Sequence, residues 1–255
     1  LTTVDDAGLN KKTIQVIDSL QEIGELKIRV YAMISNTKDN INYFLDKGII
    51  VKEKLTVRSV KAYLDGALGS RGALLKKPYS DDKKNKGITI TTKEELFELA
   101  DKLSSKGFQL NTHAIGDKAN EIVLDVYNYI LKEIEDPRWR VEHAQVVDEF
   151  DIQKFNSKII PSVQPTHATS DMNWADERLG DKRLKRAYAY KDLLDWSGII
   201  ALGTDFPVEN INPINTFYSA IARKDIEGSP SEGFLSENAL TRIEALKGMT
   251  IWAAY

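Results

Sequence analysis

The chain holds three histidines, and each falls where an apolar run gives way to polar residues: His113 in Thr112-His113-Ala114-Ile115-Gly116-Asp117, His143 in Val141-Glu142-His143-Ala144-Gln145, and His167 just past Ile159–Gln164. A fourth apolar run, Ile199–Thr204, closes on Asp205, followed by Phe206-Pro207. Neutral imidazoles with a carboxylate suit Zn²⁺, Mn²⁺ or Fe²⁺, and a bound divalent ion lowers the pKa of water to about 7. The chain has no cysteine, so any metal must be held by His, Asp, Glu or a modified Lys. Asp205 is suited to accept the proton from that water. Lys61 stands among Val60, Ala62 and Leu64, an expensive place for an ammonium without a partner. Reaction of its amine with CO₂ would turn that cation into an anionic oxygen ligand. The plainer alternative makes each histidine a hydrogen-bonded structural group and Asp205 a turn former. Three histidines at three successive strand ends argue against it.

Groups such as these converge when they project from the carboxyl ends of parallel strands. Leu1–Val4 reads as the tail of a strand, Asp5–Gly8 as a turn, and Asn10–Ile23 as a helix with Val16, Ile17, Leu20 and Ile23 on one face. Strands are expected at Lys27–Ile34, Val57–Leu64, Phe108–Ala114, Trp139–Val146, Ile159–Gln164 and Ile199–Thr204. Helices are expected near Asp39–Asp46, Glu94–Ser105, Lys118–Glu133, Phe150–Phe155, Asp181–Trp196, Pro213–Arg223 and Thr241–Tyr255. Asp65–Gly87 is a long Gly-containing connection, of a length that usually serves function. Strand and helix alternate throughout, as βα units do. The expected fold is therefore a single α/β domain over residues 1–255, a (β/α)₈ TIM-type barrel lacking its first strand. An open doubly wound sheet is the alternative, but no G-x-G-x-x-G opens a helix after the first strand.

With 35 basic and 38 acidic residues, the formal net charge is −3 and offers no basic footprint for nucleic acid or a membrane surface. No apolar run reaches the roughly 20 residues of a bilayer span. A small-molecule partner and a soluble, cytoplasmic enzyme are expected. Because the chain starts at Leu1 and stops at Tyr255 within an apolar helical pattern, a fragment of a longer protein is expected.

Several motifs in order resemble the amidohydrolase superfamily, and more narrowly the branch with N-substituted formamide deformylases and exoenzyme regulatory proteins, amidohydrolase family 3. They are Val60-Lys61-Ala62-Tyr63-Leu64-Asp65-Gly66-Ala67-Leu68-Gly69-Ser70-Arg71, Pro78-Tyr79-Ser80, His113 to Asp117, Glu142 to Gln145, Ser162 to Asp171, and Gly203 to Pro207. The resemblance runs from Leu1 to Tyr255. It implies one or two divalent metals, Zn²⁺ the leading candidate, held by a His-x-His pair on the first strand, a carboxylated lysine, two histidines and an aspartate. Lys61, His113, His143 and Asp205 match the last four positions. The His-x-His pair has no counterpart, and neither has the small β-sandwich that the family builds from its termini.

The resemblance also implies hydrolysis of non-peptide C–N bonds in amides or cyclic amides, with Asp205 shuttling the proton and His167 polarising the scissile carbonyl. Loops over the mouth select substrate in this fold. Arg71 is the candidate for a substrate carboxylate or carbonyl, with a loop salt bridge as the alternative. Tyr79 and Trp174 are candidate substrate-facing aromatics, with lid packing as theirs. Asp65 is expected to sit behind the ligands and Asp117 to cap the following helix. Two other functions compete: a catalytically inactive regulatory or binding protein that keeps the barrel, and a metal-independent sugar or phosphate enzyme. Pairing of exposed strand edges makes a homodimer the secondary expectation.

Overall fold

The computed structural model describes residues 1–255. Its strands are β1 (Thr3–Leu9), β2 (Arg29–Ser35), β3 (Ile50–Val51), β4 (Leu55–Tyr63), β5 (Gln109–Ala114), β6 (Trp139–His143), β7 (Ile159–Val163) and β8 (Ala201–Leu202). Its helices are α1 (Lys11–Glu22), α2 (Lys38–Lys47), α3 (Lys93–Ser104), α4 (Asp117–Ile130), α5 (Pro165–Asp171), α6 (Ala175–Leu184), α7 (Tyr190–Ser197), α8 (Pro213–Ala222) and α9 (Arg242–Gly248). Seven strands lie side by side in chain order, β1-β2-β4-β5-β6-β7-β8, each parallel to the next. A doubly wound sheet reverses its order at a switch point, and this one never does. The result is an incomplete barrel, with no pairing between β1 and β8.

Several local expectations are corrected. Asp5–Gly8 is not a turn but continues β1, because its backbone pairs with β2 from Asp5 beside Tyr31 to Leu9 beside Ile34. In α1 the inward residues are Ile14 and Gln21, whereas Val16, Leu20 and Ile23 are exposed. The buried Gln21 amide donates to the carbonyls of Ile28 and Lys54, which a hydrophobic-face reading overlooks. The helix expected over Asp181–Trp196 is two, α6 and α7, and α6 itself is kinked at Gly180 with φ 69°. Strand β6 stops at His143, where φ turns positive at His143 and Ala144, instead of reaching Val146. The short β3 runs antiparallel to β4.

Start signals are local. Asn10, Thr37 and Thr92 accept backbone N–H groups at the openings of α1, α2 and α3, and Thr92 forms a reciprocal capping box with Glu95. One core of apolar residues joins the outer faces of the strands to the helices, with Val57, Leu110, Val141 and Ile159 wholly buried. The inner face is polar instead: Ser59, Lys61, Asn111, Glu142 and Ser162 are all buried. Period-two alternation aligns them, Lys61 beside Asn111 and Glu142 beside Ser162 in the parallel register. No helix is long and apolar enough to cross a membrane.

Candidate metal centre and its roof

Donor atoms of His143, His167 and Asp205 lie within 4.8 Å of one another. His143 ends β6 with φ 74° and Asp205 follows β8 with φ 56°, conformations that non-glycine residues seldom adopt and that aim both side chains at the mouth. His167 lies in the first turns of α5, whose entry is set by Pro165 and by the His167 N–H donating to the Gln164 carbonyl at 3.0 Å. The His143 and His167 rings stand nearly parallel, 5.8 Å apart. His113 packs edge-on against His143 at 4.5 Å. The four strand-end positions expected to converge do so, with one change: His167, expected to face substrate, joins His143 and Asp205, while His113 and Lys61 flank that cluster.

Burial sets the charge states. It holds His143 far below the ordinary imidazole range and, with the nearby Lys61 and His167, brings His113 down to about 3, so both rings are neutral at pH 7. Burial also pulls the Lys61 amine down, against the opposing pull of Glu142, Asp205 and Asp65. Asp205 is pushed up by burial and drawn back by His167 and Lys61. The buried Nε2 atoms of His113 and His167 have no hydrogen-bond partner, and neither does Oε1 of Glu142. Buried polar atoms normally find one. Imidazole nitrogens without a hydrogen-bond partner beside a carboxylate fit a divalent cation.

Around these donors, Asp65 is wholly buried and its carboxylate accepts the N–H groups of Leu74, Ile115 and Gly116 at 2.8 to 3.0 Å. Burial nonetheless carries it up to about 7. Its Oδ1 is 3.5 Å from Nε2 of His113, behind the donors as expected. Tyr63, which was not singled out in the sequence, stands over the Lys61 ammonium at 4.4 Å and 5.5 Å from the His113 ring, and is 43% exposed. Glu142 and Gln164 were likewise passed over. Their signal was strand parity: each sits inside or at the end of a barrel strand, next to or near a histidine.

The connection between β4 and α3 forms a roof. Leu74 offers its carbonyl to the N–H groups of Lys118 and Ala119 at the start of α4, at 3.1 and 3.3 Å. Asp117 accepts the Lys76 N–H instead of capping its own helix, whose cap position is Gly116. The fit is close: a methyl group on Gly116 would come within 2.0 Å of the Leu74 oxygen. Arg178 and Arg183 of α6 staple the other side. Arg178 pairs with Asp81 and donates to the Gly69 carbonyl, and Arg183 donates to the carbonyls of Lys77 and Pro78.

The remaining candidate residues lie in or against this roof. Arg71 forks onto Asp81 at 2.8 and 3.1 Å, the loop salt bridge of the two alternatives. Tyr79 is fully buried with its hydroxyl donating to the Ala73 carbonyl, which is the lid-packing arrangement of its two alternatives. Trp174 is half-buried, its ring edge set against Gly69. Beneath the roof, Asp171 accepts from the Tyr188 hydroxyl at 2.8 Å and from Gln145 at 3.0 Å, tying α5 to the segment after β6.

The family described as amidohydrolase family matches residues 1–255. Protein LONG AFTER FAR-RED 3 of Arabidopsis thaliana is 35% identical over 214 residues, covering 82% of this chain and 36% of its own length. N-substituted formamide deformylase of Arthrobacter pascens is 26% identical over 174 residues, covering 66% of this chain and 31% of its own. A metal-dependent hydrolase from Pyrococcus horikoshii superposes with a TM-score of 0.85 at 33% identity, over 98% of this chain and 50% of that one. The matched region thus spans between 31% and 50% of these relatives' own lengths.

Proposed function

This chain belongs to the amidohydrolase family, and we propose that it carries part of the metal-dependent active site of a hydrolase of non-peptide C–N bonds in amides, formamides or cyclic amides. The observation that carries the proposal is the cluster of His143, His167 and Asp205, three donors within 4.8 Å of one another. A divalent cation, Zn²⁺ foremost, would supply Lewis acidity and lower the pKa of water there.

The residues of this chain divide the remaining work. His143, His167 and Asp205 would hold the cation. Asp205 is 37% exposed at its side chain, open enough to take a proton from the attacking water and pass it to the leaving nitrogen as the C–N bond breaks. His113 and Lys61 border the same space. The Lys61 amine, held toward its neutral form by burial, is suited to capture CO₂ and become a further oxygen ligand. Tyr63 offers a half-open aromatic wall to the substrate.

Elemental analysis of the full-length protein, with Zn²⁺ and bicarbonate supplied, tests the reading. One or two metals per chain, lost in His143→Ala and Asp205→Ala, together with amine release from N-acyl or N-formyl compounds, is the expected result. Metal without amine release would reject the C–N assignment. No metal at all would reject the hydrolase and favour a binding protein that keeps the barrel.

A further inference from the structure

Gln164 sits between β7 and α5 and is 7% exposed. Its side-chain oxygen lies 2.7 Å from Nδ1 of His143, and its side-chain nitrogen donates to the Ser162 carbonyl at 3.4 Å. The second contact orients the amide, because turning it over would set oxygen against oxygen at Ser162. An amide oxygen only accepts, so Nδ1 of His143 carries the proton and Nε2 keeps the lone pair. The backbone of the same residue seats the other histidine. The Gln164 carbonyl accepts the His167 N–H at 3.0 Å and the Tyr190 hydroxyl at 3.1 Å. Tyr190 in turn lies beneath the guanidinium of the wholly buried Arg223, 4.9 Å from its ring centre.

We propose that Gln164 is the positioning residue of this site: its amide fixes His143 as the Nδ1-protonated tautomer, while its carbonyl, braced by Tyr190, holds the turn that presents His167. An ordinary packing role for Gln164 would leave the tautomer of His143 to chance. The proposal deepens the metal reading and rests on it for its consequence, but the tautomer is a property of the metal-free ring and can be read without any metal.

Long-range ¹H–¹⁵N correlation spectra of the full metal-free chain, with histidine labelled and the His143 signals assigned by their loss in His143→Asn, read the tautomer directly. The expected pattern at pH 8 is a neutral, Nδ1-protonated His143. In Gln164→Met, which keeps the size and loses the acceptor, the Nε2-protonated form should appear, with Zn²⁺ affinity by calorimetry falling about 10- to 100-fold. Gln164→Glu, which keeps an acceptor oxygen, should restore the Nδ1-protonated form. An Nε2-protonated ring in the unsubstituted chain overturns the proposal, and that spectrum decides even if the Met variant fails to fold. An unchanged His143 pattern in a folded Gln164→Met overturns it too. Absence of Zn²⁺ binding by the unsubstituted chain would instead reject the metal reading.

Discussion

Nε2 of His167 stands 3.7 Å from Oδ2 of Asp205, too far for a direct hydrogen bond and close enough for both to face one small guest. The two groups come from different βα units, so their spacing depends on tertiary packing.

Removing the charge of Asp205 while keeping its shape separates its roles. Asp205→Asn should lower turnover of a cleaved N-acyl substrate by about 10²- to 10⁴-fold, the range for a positioned proton-transfer group. Steady-state kinetics would check this, and turnover within a factor of about three of the parent would refute the proton-shuttle role.

Asp151 gives a pH prediction away from the site. Burial pushes its carboxyl up, but ion pairs with Lys154 at 2.7 Å and Lys76 outweigh that and hold it below the ordinary value. Its folded form therefore stays ionised where unfolded aspartate takes up a proton, so the stabilisation is complete above about pH 4 and is lost as pH falls further. Asp151→Asn should cost about 2 kcal/mol at pH 7 and flatten the acid limb of the urea-midpoint curve. Parallel acid limbs in variant and parent would count against it.

Because Arg71 is engaged by Asp81, Arg71→Ala should change KM by no more than about twofold while loosening the roof, since partly exposed ion pairs contribute about 0.2 to 1 kcal/mol. Arg178→Ala removes a hydrogen bond to the Gly69 carbonyl as well and should loosen it further. Hydrogen exchange at residues 69–81 distinguishes the two. A tenfold rise in KM for Arg71→Ala would return that residue to the substrate.

Gly116→Ala should be among the most damaging single substitutions in the chain. The added methyl group would meet the Leu74 carbonyl at 2.0 Å, backbone against backbone, and a loss above about 3 kcal/mol follows from overpacking without room to relax. Gly198, in the left-handed α region with φ 79° and ψ −19° and nothing within 4 Å of the added carbon, should cost only about 1 kcal/mol on the same change. Melting curves of the two variants give the contrast, and equal losses would show that the Gly116 contact yields easily.

How far the sequence could be read follows a physical divide. Strands β4 to β7 were legible because apolar residues recur at alternate positions on their outward faces, as Trp139 and Val141 do in β6 and Ile159 and Val163 in β7. Strand β1 hides its character because its residues Val4 to Ala7 are exposed, so Asp5 and Asp6 imitate a turn. Strand-end position located His113, His143, His167 and Asp205, but it says nothing about which rings share a volume. That depends on positive φ at His143 and Asp205, a tertiary outcome with no sequence signature. The single helix expected from Asp181 fails for a related reason: the chain leaves α6 after Leu184, and Tyr188 adopts φ 53° with its N–H donating to the Gln145 carbonyl at 2.7 Å before α7 begins.

The anchorage of that roof bears on how the protein can be re-engineered or can diverge. A loop fixed only at its two ends behaves as an exchangeable cassette. Here the carbonyl of Leu74 serves as part of the amino-terminal cap of α4, and Asp65 binds the backbone on both sides of that junction. Grafting a foreign segment between β4 and α3 would therefore uncap a helix far along the chain and leave the buried N–H groups of Ile115 and Gly116 without the Asp65 carboxylate that accepts them. New specificity is more readily reached by exchanging side chains on the existing path than by exchanging the path itself.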